Sequence, residues 1–356
     1  LENNSVGRNA QALKILILKP SSLGDVIHAV PVLRLLKRHL PKGEIYWWLD
    51  VSLAPLLEKD PDLAGIIRFQ RKRWAAPHRW PEIASSLRTM REHRFDWAID
   101  LQGLARSGIF AWLANAGLII GLDNPREGAR EGARAFYDLT PRRAPENTHA
   151  VDRYLAVLPL LGVPVHHDFE WLPRRPEIAA QAEQKWNLGG SRWIALLPGG
   201  RWDNKRWPEP YWVAAVKLMR QLPDVKFVVF GSREERAIGE AIAAVDPERC
   251  LNLAGATSLW EMIECLRLSQ LVITNDTGPM HVAAALRRPV IALFGPTNPS
   301  STGPYQQSGN VLQNRSLPCV PCMVQKCFYQ EKLACLHSIT PGAVFEKARQ
   351  VIEQAG

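Results

Sequence analysis

Short, unbroken apolar runs alternate with amphipathic stretches along most of the chain. In the first half the runs are Ile15–Leu18, Ile45–Leu49, Ile66–Phe69, Trp97–Leu101 and Leu118–Gly121. They lack the in–out alternation of a half-exposed sheet and read as parallel strands covered on both faces. Apolar positions at three- and four-residue steps predict helices over Asp25–His39, Leu53–Glu58, Pro81–His93 and Leu104–Ala114. A polar stretch rich in Arg and Gly, Asp123–Arg134, comes next, and a helix over Thr148–Leu161 leads into a proline-rich connector, Val163–Pro176. Beyond it the rhythm restarts. Strands are expected at Trp193–Leu197, Phe227–Phe230, Leu251–Leu253, Leu271–Thr274 and Val290–Phe294. Helices are expected at Pro208–Arg220, Glu234–Val245, Leu259–Leu268, Pro279–Leu286 and Pro341–Gln354.

Alternating strands and helices argue for α/β layers. At 356 residues the chain exceeds one ordinary core. The economical architecture is two doubly wound, Rossmann-like domains facing each other across a cleft. Residues 1–170 form the first and 171–338 the second, while the helix in 339–356 is expected to pack back toward the first domain.

Composition narrows the class. Apolar residues make up 46% and charged residues 22%, as in globular proteins. No apolar run approaches the roughly 20 residues that span a bilayer. The polar start at Leu1–Asn4 shows no secretory pattern, so a cytoplasmic chain is expected. The net charge of +9 favours acidic partners. Arg71, Lys72, Arg73, His78 and Arg79 alternate with Trp74 and Trp80, a mixture suited to a membrane interface, acidic sugars or single-stranded nucleic acid. A solvated loop with two packed tryptophans fits the same composition equally well.

Candidate chemistry sits at strand ends. Strand Ile15–Leu18 runs into Lys19-Pro20-Ser21-Ser22-Leu23-Gly24, and Asp25 opens the next helix. That is where open α/β sheets place their chemistry, although Asp is also a favoured capping residue. In the second half, Pro198-Gly199-Gly200-Arg201 leads through Lys205 and Arg206 to Pro208 at a helix start. Glycines let backbone amides approach an anion, and the helix dipole favours negative charge. Asn275-Asp276-Thr277-Gly278-Pro279-Met280-His281 makes a second such loop, with Asp276 either anchoring sugar hydroxyls or capping the helix. Phe294-Gly295-Pro296-Thr297-Asn298-Pro299 makes a third. Three loops of this kind suit a nucleotide diphosphate.

On the motifs Lys19–His28, Lys205-Arg206-Trp207-Pro208 and Asp276-Thr277-Gly278 with His281, the chain resembles glycosyltransferase family 9, the ADP-heptose:lipopolysaccharide heptosyltransferases. Asp100-Leu101-Gln102-Gly103-Leu104, Ala129-Arg130-Glu131, Phe136-Tyr137 and His149-Ala150-Val151 look most like the member that adds the first heptose to Kdo. The resemblance implies a GT-B fold and an inverting, metal-independent transfer of heptose from ADP-heptose to a Kdo-containing inner-core acceptor. By it, Asp25 is the general base and Lys205 stabilises the departing diphosphate. Donor contacts fall on Gly200, Arg201, Thr257, Asp276, Thr277, Gly278 and His281, with Glu234 or Glu235 on the ribose. Acceptor contacts fall on Ser22, Arg71, Arg73, Arg130 and His149. No cofactor is implied, since ADP-heptose is a substrate. The expected partners are that nucleotide sugar, an acidic lipid-linked glycan and the anionic inner face of the cytoplasmic membrane, with no nucleic acid.

Cys319-x2-Cys322-x4-Cys327-x7-Cys335 departs from many first-heptose enzymes and leaves a heptosyl-Kdo or other glycan acceptor open. The four could hold a structural metal or remain thiols, while Cys250 and Cys265 lie in expected core elements. A basic nucleic-acid-binding protein without catalysis is the reading of another class. Nucleotide-sugar epimerases share the fold, but no further acid/base pattern of theirs is present. A dinucleotide-dependent oxidoreductase ranks low because the first loop lacks Gly-x-Gly-x-x-Gly.

Overall fold

The computed structural model describes residues 12–70, 79–122 and 132–355. They divide into two compact units. One holds the described residues as far as Pro145 together with Val151–Glu170, and the other holds Glu146–Ala150 and the chain from Trp171 onward.

The apolar runs of the first unit become β1 (Lys14–Leu18), β2 (Glu44–Asp50), β3 (Gly65–Phe69), β4 (Trp97–Asp100) and β5 (Leu118–Gly121). All pair in parallel, in the order β3-β2-β1-β4-β5. β1 is central, with Ile15 to Leu18 inaccessible to solvent, which explains its lack of polar alternation. Ile15 pairs with Trp97 of β4 across the point where the strand order reverses.

The second unit repeats the design with β6 (Arg192–Leu197), β7 (Val225–Val229), β8 (Cys250–Asn252), β9 (Leu271–Asn275), β10 (Val290–Leu293) and β11 (Val311–Leu312). Their order is β11-β10-β9-β6-β7-β8, again all parallel. The reversal falls between β6 and β9, where Ile194 pairs with Leu271. Trp207, Trp212, Phe227 and Ile273 fill one side of this sheet. At such reversals the connecting helices leave to opposite faces and open a crevice beyond the strand ends.

Several elements differ from expectation. Thr148–Leu161 is broken into a helix, Ala150–Leu155, and a 3₁₀ turn, Leu158–Leu161. Pro159 lies at the break and cannot donate to a continuing helix. The connector ends in an unanticipated helix, Pro176–Lys185, which starts on proline as first helical turns allow. Glu234–Val245 shrinks to Arg236–Ala243, because Ser232 and Glu235 first build a capping turn. The terminal helix, Pro341–Ala355, adds Val344, Ala348 and Val351 to the core of the second unit.

Candidate functional site

In the first unit, Asp25 is the third residue of helix Leu23–His39, on the loop beyond β1. Its Oδ2 accepts from the Ser22 amide (2.9 Å) and hydroxyl (2.7 Å), so Ser22 is the N-cap and Asp25 its capping-box partner rather than the cap itself. The other oxygen, Oδ1, lies 4.0 Å from Lys19 Nζ and 3.5 Å from the Tyr154 hydroxyl. The Asp25 side chain is 42% exposed, whereas Lys19 is 3% exposed and sits 4.8 Å over the Tyr154 ring. Burial pushes the Tyr154 phenol above its ordinary pKa, opposed by Lys19 and reinforced by the Asp25 charge. A solvent-reaching carboxylate is thus oriented by a serine, a buried ammonium and a phenol.

Asp100, paired with Leu18 of β1, ends β4 and is fully buried. It accepts from the amides of Gln102 and Gly103 and, at 2.7 Å, from the Tyr137 hydroxyl. Burial raises its pKa against those bonds, and the same pair drives the Tyr137 phenol far up, burial first and the Asp100 charge next. The Tyr137 ring covers Gly121, where an added Cβ would lie 2.2 Å from it.

In the second unit the loops beyond β6 and β9 are tied together. Asn275, buried at the end of β9, donates to the carbonyls of Pro198 (2.6 Å) and Gly199 (3.1 Å) and accepts from the Trp207 amide. Lys205 Nζ lies 2.6 Å from Asp276 Oδ2, which also accepts from Thr297 at 2.6 Å. Lys205 additionally lies over the Trp202 ring at 4.5 Å. Asp276 is therefore a buried anchor for the cation, and Thr277 is the N-cap residue of helix Gly278–Ala285. Gly278 opens that helix and His281 is buried within it, while Gly200 and Arg201 continue the β6 loop, Arg201 exposed. Arg206 Nε donates to the Gly200 carbonyl. Thr257 immediately precedes Ser258, the cap of helix Leu259–Leu268.

The two glutamates separate. Glu234 is exposed, whereas Glu235 accepts from the Ser232 amide and hydroxyl and packs against Gly199 and Gly231. A Cβ on Gly199 would lie 2.9 Å from the Glu235 carboxyl carbon, so glycine permits this approach.

Of the expected acceptor residues, the structure describes Ser22 and His149. Ser22 holds Asp25. His149 belongs to the second unit, its Nε2 3.0 Å from the Gly303 carbonyl oxygen and its ring tilted on Tyr305. Arg71, Arg73 and Arg130 lie outside the described residues. Sequence reasoning gave no role to Lys19, Tyr154, Asn275 or Thr297. Lys19 and Asn275 carried one signal, a polar residue closing a continuous apolar strand.

The cysteine segment braces these loops. Met323 N donates to the Pro296 carbonyl, and Asn204 Nδ2 donates to that of Val324, each at 2.8 Å. Cys335 joins the core, where burial and then the neighbouring Cys327, Cys319 and Cys322 push its thiol up to about 11. Burial likewise lifts Cys250 to about 11 and Cys265 to about 12. Among the described residues, no group of three or more His, Cys, Asp or Glu side chains is arranged to hold a metal ion.

The pattern of glycosyltransferase family 9 (heptosyltransferase) matches residues 83–333. The chain is 32% identical, over 334 residues, to lipopolysaccharide heptosyltransferase 1 of Pseudomonas aeruginosa, covering 89% of this chain and 88% of that one. The chain belongs to glycosyltransferase family 9. A second relative, lipopolysaccharide heptosyltransferase 2 of Salmonella typhimurium, is 29% identical, with 85% of this chain and 88% of that one covered. The structure of E. coli ADP-heptose lps heptosyltransferase II superposes with a TM-score of 0.75 at 25% identity, over 96% of this chain and 99% of that one. The two parallel-sheet α/β units are those of the GT-B fold, and the protein is a family 9 glycosyltransferase. This membership sets aside the non-catalytic nucleic-acid reading and the oxidoreductase.

Proposed function

We propose that the chain transfers heptose from ADP-heptose to a Kdo-containing acceptor of the lipopolysaccharide inner core, with inversion and without a metal. The observation that carries this reading is the union, at the β6/β9 reversal, of Lys205, its anchor Asp276 and two loops stapled by Asn275. A cation held beside the glycine loop and the start of helix Gly278–Ala285 supports a diphosphate site at these strand ends.

In the proposed step the acceptor hydroxyl attacks the anomeric carbon opposite the diphosphate. The new glycosidic bond forms as the bond to the ADP oxygen breaks, and the hydroxyl proton passes to Asp25 Oδ1. Holding Oδ2 on Ser22 fixes the carboxylate for this transfer. Lys205 and the loop amides balance the charge that develops on the leaving diphosphate. Gly200, Arg201, Thr277, Gly278 and His281 serve the diphosphate side, Thr257 lines the nucleotide, and Glu235 takes the ribose hydroxyls. The packing of half-buried Glu235 against Gly199 supports that choice over exposed Glu234.

The Kdo acceptor rests on the central motifs and on the likeness to heptosyltransferase 1. A heptosyl-Kdo acceptor is the second reading, favoured by the 29% identity to heptosyltransferase 2 and by the cysteine segment. We assign the acceptor to the first unit and the enzyme to the inner face of the cytoplasmic membrane. The net charge of +9 supports this, and among the described residues no helix is long and apolar enough to cross a membrane. ADP release measured with ADP-heptose against Kdo-lipid A and heptosyl-Kdo-lipid A tests donor and acceptor together. Release with Kdo-lipid A alone is the expected result; release only with the heptosylated acceptor moves the assignment to the second reading. No release with either overturns the transfer.

A further inference from the structure

Lys19 brings a full positive charge into the interior of the first unit. It directly follows β1, is buried, and lies 4.0 Å from Asp25 Oδ1. A buried ammonium is costly unless an opposite charge or a polar group answers it. Elsewhere the chain closes such pairs tightly. Arg34 meets Asp60 at 2.6 and 2.7 Å, and Lys205 meets Asp276 at 2.6 Å. Asp25 is held differently. Ser22 binds its Oδ2 twice, while Oδ1 has the Lys19 ammonium at 4.0 Å and the Tyr154 hydroxyl at 3.5 Å. At those separations the positive charge acts on Oδ1, yet neither group gives it a short hydrogen bond.

Tyr154 touches both members of this pair. Its ring lies 4.8 Å from the ammonium, and its hydroxyl reaches Oδ1. Burial, reinforced by the Asp25 charge and opposed by Lys19, keeps the phenol protonated, so it meets Oδ1 as a donor. While Asp25 is ionised, carboxylate and ammonium answer each other. Once Asp25 has taken a proton that balance is gone, and the ring face, negative by its quadrupole, is in contact with the cation. Three other titratable groups stand nearby. Arg153 adjoins Tyr154 on its helix, His28 lies one turn along from Asp25, and Asp100 is bound by Gln102, Gly103 and Tyr137.

We infer that Lys19 and Tyr154 are positioning residues for the transfer: the ammonium keeps Asp25 charged and aligned, and the Tyr154 ring carries that ammonium while Asp25 holds the proton taken from the acceptor. The proton then passes from Oδ1 to water, which the partly exposed Asp25 side chain meets, and the ion pair is restored. Both roles rest on Asp25 being the base, as proposed above. Neither side chain exchanges a proton with the substrate.

The test follows ADP release from ADP-heptose across pH, with the acceptor that supports release. Lys19→Met removes the charge that favours the carboxylate, so the acid limb of kcat/KM should move to higher pH. On the plateau, kcat should fall roughly 10- to 100-fold as Oδ1 loses its alignment. Tyr154→Phe keeps the ring and should cost no more than about five-fold. Tyr154→Leu removes the ring and should approach the loss of Lys19→Met. The double variant Lys19→Met/Tyr154→Leu should be no worse than Lys19→Met, because no cation is left for the ring to carry. Donor KM and the thermal shift produced by ADP should match the wild type throughout, which also shows that the variants are folded. An acid limb that stays in place in Lys19→Met overturns the inference, and so do losses that multiply in the double variant. Equal losses in Tyr154→Phe and Tyr154→Leu overturn it without recourse to Lys19→Met. Asp25→Asn, run alongside, separates this inference from the reading beneath it. Near-normal turnover there removes the base and the inference together, whereas an inactive Asp25→Asn beside an unaltered Lys19→Met sinks the inference alone.

Discussion

At Asp25 one carboxylate oxygen is committed to Ser22, and the other points toward Lys19 and Tyr154. Asp25→Asn keeps the shape and removes the base, so transfer should fall below detection while ADP affinity stays within a few-fold; near-normal single-turnover rates would remove Asp25 from the chemistry. Lys205 is the residue proposed to serve the leaving group. Lys205→Ala should lower kcat/KM by about 2–4 kcal/mol in transition-state terms, with both kcat and donor KM affected. Asp100 offers a test of pH linkage. Its folded pKa is raised by burial above the ordinary 3.8, so the unfolded chain releases that proton first as pH rises. Its contribution is therefore full below about pH 4 and is lost as pH climbs through the folded value. Relative to Asp100→Asn, the wild type should lose stability across that window in urea unfolding. Parallel curves for the two proteins would show that Asp100 titrates as it does in water.

At the scale of elements, the central strands were legible because burial on both faces leaves a plain apolar run, as in Ile15–Leu18 and Leu271–Thr274. The three glycine- and proline-bearing loops of the second unit were legible because each follows such a run directly. The contents of the loops were harder to read. Whether Asp276 would cap a helix, hold sugar or hold Lys205 depends on where Thr297 and Lys205 arrive from other strands, and local pattern carries no such information. The same holds for Glu234 and Glu235, which differ only in which one meets Gly199. Helix Pro176–Lys185 was hidden inside what read as a proline-rich linker, since proline suits both a linker and a first helical turn. The terminal helix showed its apolar stripe plainly but not its partner. A packing prediction belongs here too. In Gly121→Ala the new methyl would meet the Tyr137 ring at 2.2 Å, pushing it off Asp100. Denaturant unfolding should show a loss of about 1–3 kcal/mol; an unchanged midpoint would mean that the ring moves at no cost.

At the scale of the whole molecule, each unit has its own sheet and its own packed interior. If the loops of the second hold ADP as proposed, ADP should protect the amides of β6 and β9 from hydrogen exchange by up to about 2.7 kcal/mol at a hundred-fold excess over Kd. The amides of β1 and β4 should be unaffected. An equal rise in both sheets would mean that the units open as one. The strand orders also bear on biogenesis. β1 pairs early with β2, and β6 with β7, yet the opposite edge of each waits for a strand that arrives about eighty residues later. At a translation rate of roughly 5–20 residues per second, each centre leaves the ribosome with bare amides and carbonyls along one side for about 4–16 s. Twice during synthesis, then, the nascent chain offers a ready template to any neighbouring polypeptide, and slower growth of the culture or a chaperone at the exit tunnel should govern the yield of native enzyme.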